Sequence, residues 1–292
     1  MEQTGLILEG GGMRGAYTAG VLDFFHDQDL FFPYVVGSSA GACNGSSYMA
    51  KQRGRNYKVL VEYGDHPEYI SYTRALRKKE LFGMDFLFDT LPNKLVPFDY
   101  KEFMVKNSKF VVSATDANSG EAVYYDRFAT KQDLMTVVRA SSSIPMFAPL
   151  VTYNGRNLMD GGIADPIPIL PSIREGNTKH VVVLTRNEGY LKKPFKFGWL
   201  MKRMYKDYPG LVRSVENRSM IYNNTIETLT EMERRNEVFI IRPNQPLEVS
   251  RIERNKEKLA ALYHQGYQDA EQLGDKLFAF LNVQKQIPHA QL

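Results

Sequence analysis

The sequence predicts an α/β fold with a largely parallel central sheet, because short apolar runs alternate with helical patterns along most of its 292 residues. Two strand-loop-helix units fall within the first 50 residues, with strands predicted at 5–9 and 34–36. A helix is predicted over 15–26 after the first strand, and a helix of small residues follows the second. The later apolar runs 180–185 and 238–243 are nearly continuous, as expected for strands covered on both faces.

Two hairpins are predicted in the middle of the chain. The β-rich runs 109–115 and 122–125 are separated by the turn-forming sequence DANSG. The runs 150–153 and 157–159 flank an Asn-Gly dipeptide, which favours a tight hairpin turn.

Helical patterns are predicted over 131–139 and, as one long terminal helix, over 251–281. Residues 51–108 are rich in charged and aromatic side chains with Pro and Gly interruptions, which predicts short helices and loops that cover the core. The sequence contains no internal repeat and no Ser/Gly-rich linker, so we expect a single domain over residues 1–292.

The composition excludes several classes of protein. The 37 Lys and Arg exceed the 33 Asp and Glu by four, a surplus too small to predict nucleic-acid binding without a concentrated patch. A single cysteine, Cys43, rules out an internal disulfide and a cysteine-rich zinc module. The first residues lack the pattern of a signal peptide, and no apolar stretch approaches the roughly 20 residues that span a bilayer. We therefore expect a cytoplasmic protein, either soluble or peripheral to the inner face of the membrane.

The sharpest local signal is the GxSxG pattern Gly37-Ser38-Ser39-Ala40-Gly41, which lies between an apolar strand and a small-residue helix. A nucleophilic serine needs a sharp strand-to-helix turn to expose its hydroxyl, and glycines on both sides relieve the crowding in that turn. The helix also brings backbone N–H groups and the positive end of its dipole to a developing oxyanion. Ser39 holds the central position, so we predict Ser39 as the nucleophile and assign Ser38 to the turn. A Gly/Ser turn without chemistry is the alternative that the pattern alone leaves open.

A second glycine cluster, GGGMRG at residues 10–15, follows the first predicted strand and opens a helix. It also matches GxGxxG, which wraps a dinucleotide pyrophosphate when an acidic residue ends the second strand about 20 positions later. Asp29 has nearly that spacing but precedes the second strand, which weakens this nucleotide-binding alternative. Free N–H groups in a glycine loop equally stabilise an oxyanion, and Arg14 would add positive charge there. We favour the oxyanion role.

The third signal is Asp160-Gly161-Gly162, just past a predicted strand. An Asp before two glycines is often only a turn residue, but a serine hydroxyl is a weak nucleophile and needs an adjacent base. None of the five histidines lies in the Gly or Pro context of a triad histidine: His26, His66, His180, His264 and His289. Asp160 is therefore the better candidate base, although spacing alone leaves open that a histidine approaches Ser39 in space.

The three motifs in this order, at 10–15, 37–41 and 160–162, resemble the patatin-like phospholipase family. The segment 139–145, RASSSIP, also looks like the ASxxxP segment usual in that family. The resemblance covers roughly residues 5–170, the motif-bearing core, and the ordered set is far more specific than any one motif.

The resemblance implies a three-layer α/β/α sandwich and a lipid acyl hydrolase that cleaves carboxylic ester bonds of phospholipids or related acyl lipids. Ser39 would attack the ester, activated directly by Asp160 as a Ser-Asp dyad, and water would then hydrolyse the acyl-enzyme. The family commonly carries DGA or DGG, so Gly162 is an accepted variant, and no metal or cofactor is expected. Besides the dyad, the implied site residues are the oxyanion loop Gly10, Gly11, Gly12, Met13, Arg14 and Gly15, the elbow glycines Gly37 and Gly41, and the motif glycines Gly161 and Gly162.

Residues 191–208 interleave six Lys and Arg with aromatic and apolar side chains. This mixture suits an anionic lipid surface, but it also suits a solvated helix packed by its apolar face, which is the commoner case. The predicted partners are therefore an acyl lipid substrate and, through 191–208, an anionic membrane surface, with no nucleic acid. A non-catalytic lipid-binding protein on the same fold stays open as the alternative.

Overall fold

Eight strands form one central sheet within residues 3–105 and 108–283, the part of the chain that the computed structural model describes. The strands are β1 (Thr4–Leu8), β2 (Tyr34–Ser38), β3 (Lys109–Asp116), β4 (Ala122–Tyr125), β5 (Val151–Tyr153), β6 (Arg156–Asp160), β7 (Lys179–Val183) and β8 (Val238–Ile241). Parallel pairing joins β3 to β2, β2 to β1, β1 to β7 and β7 to β8. The two predicted hairpins are confirmed, since β4 pairs antiparallel with β3 and β5 pairs antiparallel with β6.

Eleven α-helical segments occur in the described residues, with additional π-helical turns at Lys58–Glu62 and Phe86–Leu95 and a 3-10 turn at Gly12–Arg14. The helices are α1 (Gly15–Asp27), α2 (Ala40–Met49), α3 (Arg55–Tyr57), α4 (Tyr72–Lys78), α5 (Tyr100–Phe103), α6 (Lys131–Ser141), α7 (Leu170–Arg174), α8 (Gly198–Met204), α9 (Pro209–Arg234), α10 (Lys256–Gln272) and α11 (Gly274–Leu281). None of them is both long and apolar enough to cross a bilayer.

Helices cover both faces of the sheet, which confirms the predicted α/β/α sandwich. Every residue of β1 is buried, and neighbouring side chains on it point to opposite faces. Leu6 and Leu8 belong to the larger core cluster, which includes buried residues of α1, α2, α6 and α10. Ile7 belongs to a second cluster on the other face, together with Tyr222 and Leu229 of α9.

Helices α1 and α10 cross with their backbones in contact at two glycines. A Cβ atom on Gly20 would lie 2.0 Å from the carbonyl oxygen of Tyr263, and one on Gly266 would lie 2.0 Å from that of Tyr17. Three tyrosine hydroxyls donate hydrogen bonds to aspartates across this crossing: Tyr17 to Asp269 at 2.9 Å, Tyr263 to Asp23 at 2.7 Å and Tyr267 to Asp27 at 3.0 Å. The C-terminal region is thereby tied to the helix that follows the glycine loop.

The prediction of one helix over 251–281 is wrong in two places. The helix begins only at Lys256, because the Asn255 side chain caps it by accepting a 2.8 Å hydrogen bond from the N–H of Lys258. It is interrupted again at Leu273, after which α11 starts. The preceding residues form a loop in which the Arg251 carbonyl accepts the N–H of Met13.

Candidate active site

Strands β2 and β6 end head to head on the same edge of β3. Strand β2 runs parallel to β3 and stops with Ser38 opposite Ser113. Strand β6 runs antiparallel to β3 and stops with Asp160 opposite Ala114. Strands β2 and β6 lie on the same edge of β3, because β4 pairs with the opposite edge at Ser113 and Ala114. The residue that follows β2, Ser39, is therefore brought to Asp160.

Ser39 lies in a strained turn between β2 and α2, with φ 56° and ψ −123°. Non-glycine residues rarely adopt such angles, which cost about 1–3 kcal/mol. The flanking glycines are required by close backbone contacts. A Cβ on Gly37 would lie 2.6 Å from the backbone of Gly41, and one on Gly41 would lie 2.2 Å from the carbonyl oxygen of Leu8.

The hydroxyl of Ser39 donates a 2.7 Å hydrogen bond to Oδ2 of Asp160. Oδ1 of the same carboxylate accepts the N–H of Gly162 at 2.8 Å. Both side chains are buried, and a Cβ on Gly161 would lie 2.1 Å from the carbonyl oxygen of Ser113. In the DGG motif, Asp160 thus supplies the carboxylate, Gly161 passes close to the backbone of β3, and Gly162 supplies the N–H that orients the carboxylate.

Burial raises the pKa of Asp160, which is the largest effect on this group. The hydrogen bond from Ser39, the positive charge of Arg218 and the N–H of Gly162 each lower the pKa and so favour the carboxylate. Arg218 comes from α9 and donates its Nε–H to the carbonyl oxygen of Gly162. Burial, and next the nearby Arg251, lower the pKa of Arg218 to about 10.

The Ser-rich segment 141–143 fixes both halves of the candidate dyad. The N–H of Ser39 donates to Oγ of Ser141 at 2.8 Å. The carbonyl oxygens of Ser143 and Ser141 accept the N–H groups of Asp160 at 2.8 Å and Gly161 at 3.1 Å. In the sequence this segment carries only a family resemblance, whereas in the structure it holds the backbones at Ser39 and Asp160 at a fixed spacing.

The glycine loop lies directly against Ser39. A Cβ on Gly10 would lie 3.0 Å from Cβ of Ser39, and Gly12 has φ 58° with Arg251 packed against it. The N–H of Met13 donates to the carbonyl oxygen of Arg251 at 3.1 Å. Within the described residues no hydrogen-bond acceptor is found for the N–H groups of residues 10–12, and all three glycines line a cavity next to Ser39.

The remaining residues of the predicted loop pack against neighbouring elements. Gly11 lies against Thr185, because a Cβ there would approach its Oγ1 to 2.9 Å. The carbonyl oxygen of Gly15 accepts Nδ2 of Asn44 at 2.8 Å, which ties α1 to α2. Arg14 is buried.

Two cavities meet at Ser39. The large cavity holds about 530 Å³ and is lined by the glycine loop, Asp160, residues 144–147, residues 190–197 and α9. The small cavity holds about 100 Å³ and lies between α2, α6 and the segment 82–88. Its walls are mainly apolar: Met13, Leu60, Phe82, Met84, Leu87, Phe88, Met135, Val138 and Ile144.

The described histidines and Asp29 lie away from this centre, whereas Ser38 lies within it, because a Cβ on Gly161 would lie 2.9 Å from Oγ of Ser38. Of the described histidines none lines either cavity, and His180 instead hydrogen-bonds Oγ of Ser172 at 3.1 Å. His289 lies outside the described residues. Oγ of Ser38 is buried without a partner among the described residues. Asp29 precedes β2, at the opposite end of the strands from the glycine loop, so the nucleotide fingerprint is not formed.

A family model described as patatin-like phospholipase matches residues 6–173, more than half of the chain. The chain belongs to the patatin-like phospholipase family. A second model, described as a domain of unknown function, DUF6363, matches residues 208–282 of this patatin-like protein. That region contains β8, α10 and Arg218.

Among curated relatives, the Escherichia coli K12 protein named "Uncharacterized protein YjjU" is 32% identical over 248 residues, covering 83% of this patatin-like chain and 69% of the relative. The protein named "Lysophospholipase NTE1" of Candida albicans is 22% identical, and the match covers 83% of this chain but only 18% of the yeast protein. Among solved structures, VipD from Legionella pneumophila matches with a TM-score of 0.48 and 15% identity, covering 94% of this chain and 67% of that one.

Proposed function

We propose that this patatin-like protein is a serine carboxylic ester hydrolase that cleaves acyl lipids through Ser39 and Asp160. The observation that carries the proposal is the 2.7 Å hydrogen bond between their side chains, at a strained elbow where two cavities meet. A serine hydroxyl held on a carboxylate has a proton acceptor in place, which is the first requirement of nucleophilic catalysis.

The reaction follows from the contacts of the two side chains. Oγ of Ser39 attacks the ester carbonyl as its proton passes to Oδ2 of Asp160, and the alcohol leaves with that proton. Water then attacks the acyl-enzyme with Asp160 again as base, which releases the fatty acid and restores Ser39. The free N–H groups of Gly10, Gly11 and Gly12 stabilise the oxyanion of both tetrahedral intermediates.

The ester bond would lie at Ser39, where the two cavities meet, so the two parts of the substrate enter different cavities. The small cavity is mainly apolar and receives the start of the acyl chain, whose burial there is favourable at about 0.8 kcal/mol per CH₂. The large cavity carries six cationic side chains among apolar ones and receives the polar part of the lipid. The NTE1 lysophospholipase name supports a lysophospholipid among the candidate substrates.

A fluorophosphonate probe tests the nucleophile. We expect the probe to label the wild-type protein and the Ser38→Ala variant, but not Ser39→Ala, and peptide mass spectrometry should place the adduct on Ser39. Ser38 is the matched control, because it is the adjacent serine and its buried Oγ has no partner among the described residues. A folded wild-type protein that resists labelling and cleaves no ester would favour the alternative of a non-catalytic lipid-binding protein.

Peripheral contact with an anionic membrane surface is the second part of the proposal. The segment 191–199 at the rim of the large cavity exposes several apolar side chains to solvent: Leu191 (68% exposed), Phe195 (42%), Phe197 (55%) and Trp199 (66%). Lys193 and Lys196 are exposed among them. Aromatic rings inserted at the headgroup boundary, with lysines on anionic lipids, would place the cavity mouth on its substrate.

Co-sedimentation with vesicles of phosphatidylglycerol and phosphatidylcholine checks this contact. We expect Trp199→Ala, and separately Lys193→Glu with Lys196→Glu, to lower the bound fraction severalfold, because each removes one of the two attractions. Leu76→Ala is the control, since Leu76 on α4 is 88% exposed outside the segment. Equal binding by all these variants would remove segment 191–199 as the contact.

A further inference from the structure

Six cationic side chains and one acidic side chain line the large cavity within the described residues. The cations are Arg186, Lys192, Lys193, Lys196, Arg218 and Arg251, and the acidic residue is Asp160. Asp160 already accepts hydrogen bonds from Ser39 and Gly162. The cavity therefore presents a ligand with an excess of positive charge.

Four of these cations, which we call the cationic wall, interact with one another or with the buried Arg14, which does not itself line the cavity: Arg186, Lys192, Arg218 and Arg251. Burial lowers the pKa of Arg14 to about 10, and repulsion from Arg251 and Arg186 contributes. Burial, followed by repulsion from Arg218 and Arg251, lowers the pKa of Lys192 to about 6, so an anion bound beside it would favour its charged form. The guanidinium groups are thus held together and partly removed from water, an arrangement that costs free energy unless a counter-charge is present.

Two carboxylates supply counter-charge: Glu9 acts on Arg14, Lys192 and Arg218, and Asp160 acts on Arg218, which leaves the cations in excess. None of the ion pairs formed within residues 3–105 and 108–283 includes a member of the wall. Arg218 donates to the carbonyl oxygen of Gly162, and the guanidinium of Arg186 lies 4.3 Å from the ring centroid of Tyr190. Neither contact neutralises a charge.

The shortage of partners for these cations is clearest at Arg14. The residue is 2% exposed, and its buried Nε has no hydrogen-bond partner in the described part of the chain. The nearby carboxylate of Glu9 raises the pKa of Arg14 only as a minor effect. That carboxylate is itself held by the N–H and hydroxyl of Thr185.

We infer that the cationic wall binds the phosphate of the acyl ester substrate and selects headgroups with net negative charge over zwitterionic or uncharged ones. The inference rests on the proposed ester hydrolysis at Ser39. Guanidinium groups bind phosphate through paired, charge-assisted hydrogen bonds, so a phosphate supplies the counter-charge that the wall lacks. An amine-bearing headgroup would add another cation to a cavity that already holds six cationic side chains.

Three substrates with the same acyl chain test the selection on the wild-type protein. Initial rates are measured in neutral detergent micelles with 1-acylglycerol 3-phosphate, 1-acylglycerophosphocholine and 1-monoacylglycerol at equal mole fraction. We expect kcat/KM for the phosphate monoester to exceed the other two by about tenfold or more, as one or two hydrogen bonds to charged groups would give. Equal or faster hydrolysis of the zwitterionic or uncharged lipid overturns the inference and leaves the proposed hydrolase intact.

Substitutions in the wall test which residues select. Lys192→Gln, and separately Arg251→Gln, should lower the ratio of kcat/KM for the phosphate monoester to that for the monoacylglycerol by about tenfold. Arg213→Gln is the matched control, because Arg213 is exposed on α9, five residues before Arg218, and should keep the wild-type ratio. Thermal melting confirms that each variant folds. An unchanged ratio in both folded wall variants contradicts the assignment.

Inorganic phosphate separates a headgroup site from a site for the free ion. Phosphate should compete with the phosphate monoester, raising KM without changing kcat, and Ser39→Ala should bind the lipid far more tightly than inorganic phosphate in calorimetry. Equal affinity for the two would mean that the wall holds free phosphate, which overturns the headgroup role. Because calorimetry with Ser39→Ala needs no turnover, it decides the inference even if ester hydrolysis fails.

Discussion

Replacing Asp160 by Asn is expected to lower kcat for ester hydrolysis by about 10⁴-fold, because an amide cannot take the proton of Ser39. The substitution should leave the positions of the side chains at residues 39 and 160 unchanged. Oδ1 of the new side chain still accepts the N–H of Gly162, while its amide group faces Oγ of Ser39. Steady-state rates on a soluble ester, with fluorophosphonate labelling of the same samples, measure the loss.

The same substitution is expected to leave the melting temperature equal to or above that of the wild-type protein. Burial raises the pKa of Asp160 in the folded state, so folding favours the protonated form and the ionised carboxylate destabilises the fold at neutral pH. A neutral Asn removes that penalty. The difference in melting temperature should therefore be largest at alkaline pH and should shrink as the pH falls towards 3.8, the ordinary pKa of an aspartate, because Asp160 is then protonated in the folded wild-type protein as well.

Asp165→Asn is the matched control. Asp165 lies five residues further along, is similarly buried and has a raised pKa, but its carboxylate accepts the hydroxyl of Tyr124 and lines neither cavity. We expect this variant to keep turnover within a few-fold of wild type. An Asp160→Asn protein with normal turnover would contradict the proposed mechanism.

Gly266→Ala is expected to lower the free energy of unfolding by about 3 kcal/mol or more. The added Cβ would lie 2.0 Å from the carbonyl oxygen and 2.8 Å from the carbonyl carbon of Tyr17. Backbone atoms of α1 cannot rotate away as a side chain does, so α10 must move off α1 and loosen the hydrogen bond between Tyr17 and Asp269. Urea unfolding followed by circular dichroism measures the change.

The control for this substitution is Gly274→Ala at the start of α11. A Cβ there would meet Cζ of Phe24 at 3.4 Å and Cε2 of Phe278 at 3.7 Å, so ordinary packing and the better helix propensity of Ala predict a neutral or slightly stabilising effect. We propose that residues 1–292 form a single domain, and a cooperative loss of the whole fold in Gly266→Ala would support this. Separate unfolding of the region 208–282, with the remainder still folded, would argue for two domains.

The elements nearest Ser39 could be predicted from the sequence because their signals are local. An apolar run, a glycine-flanked serine and a small-residue helix follow one another directly, and β2 and α2 have these positions in the structure. The hairpin before Asp160 was equally accessible through its Asn-Gly turn. Periodicity alone did not reveal that α10 starts at Lys256, because the side-chain cap on Asn255 interrupts an otherwise continuous helical pattern.

Long-range features could not be predicted in this way. Arg218 lies in the middle of a 26-residue helix, and nothing local marks it as the residue that contacts Gly162. The tyrosine and aspartate partners that join α1 to α10 are 240 or more positions apart, so their pairing depends on a tertiary crossing that leaves no local signal in the sequence. The segment 141–143 likewise acquires its role only when β2 and β6 meet.

The position of β7 and β8 in the sheet has a practical consequence for dissecting this protein. The patatin-like match ends at residue 173, but β1 is paired along one edge with β7, whose residues begin at Lys179. A recombinant fragment that ends at residue 173 would expose this edge of β1, which lies in the middle of the hydrophobic sheet. Exposed strand edges of this kind pair with strands of other molecules. Precipitation of the shortened protein would then reflect a severed sheet, and would say nothing about whether the missing region takes part in chemistry.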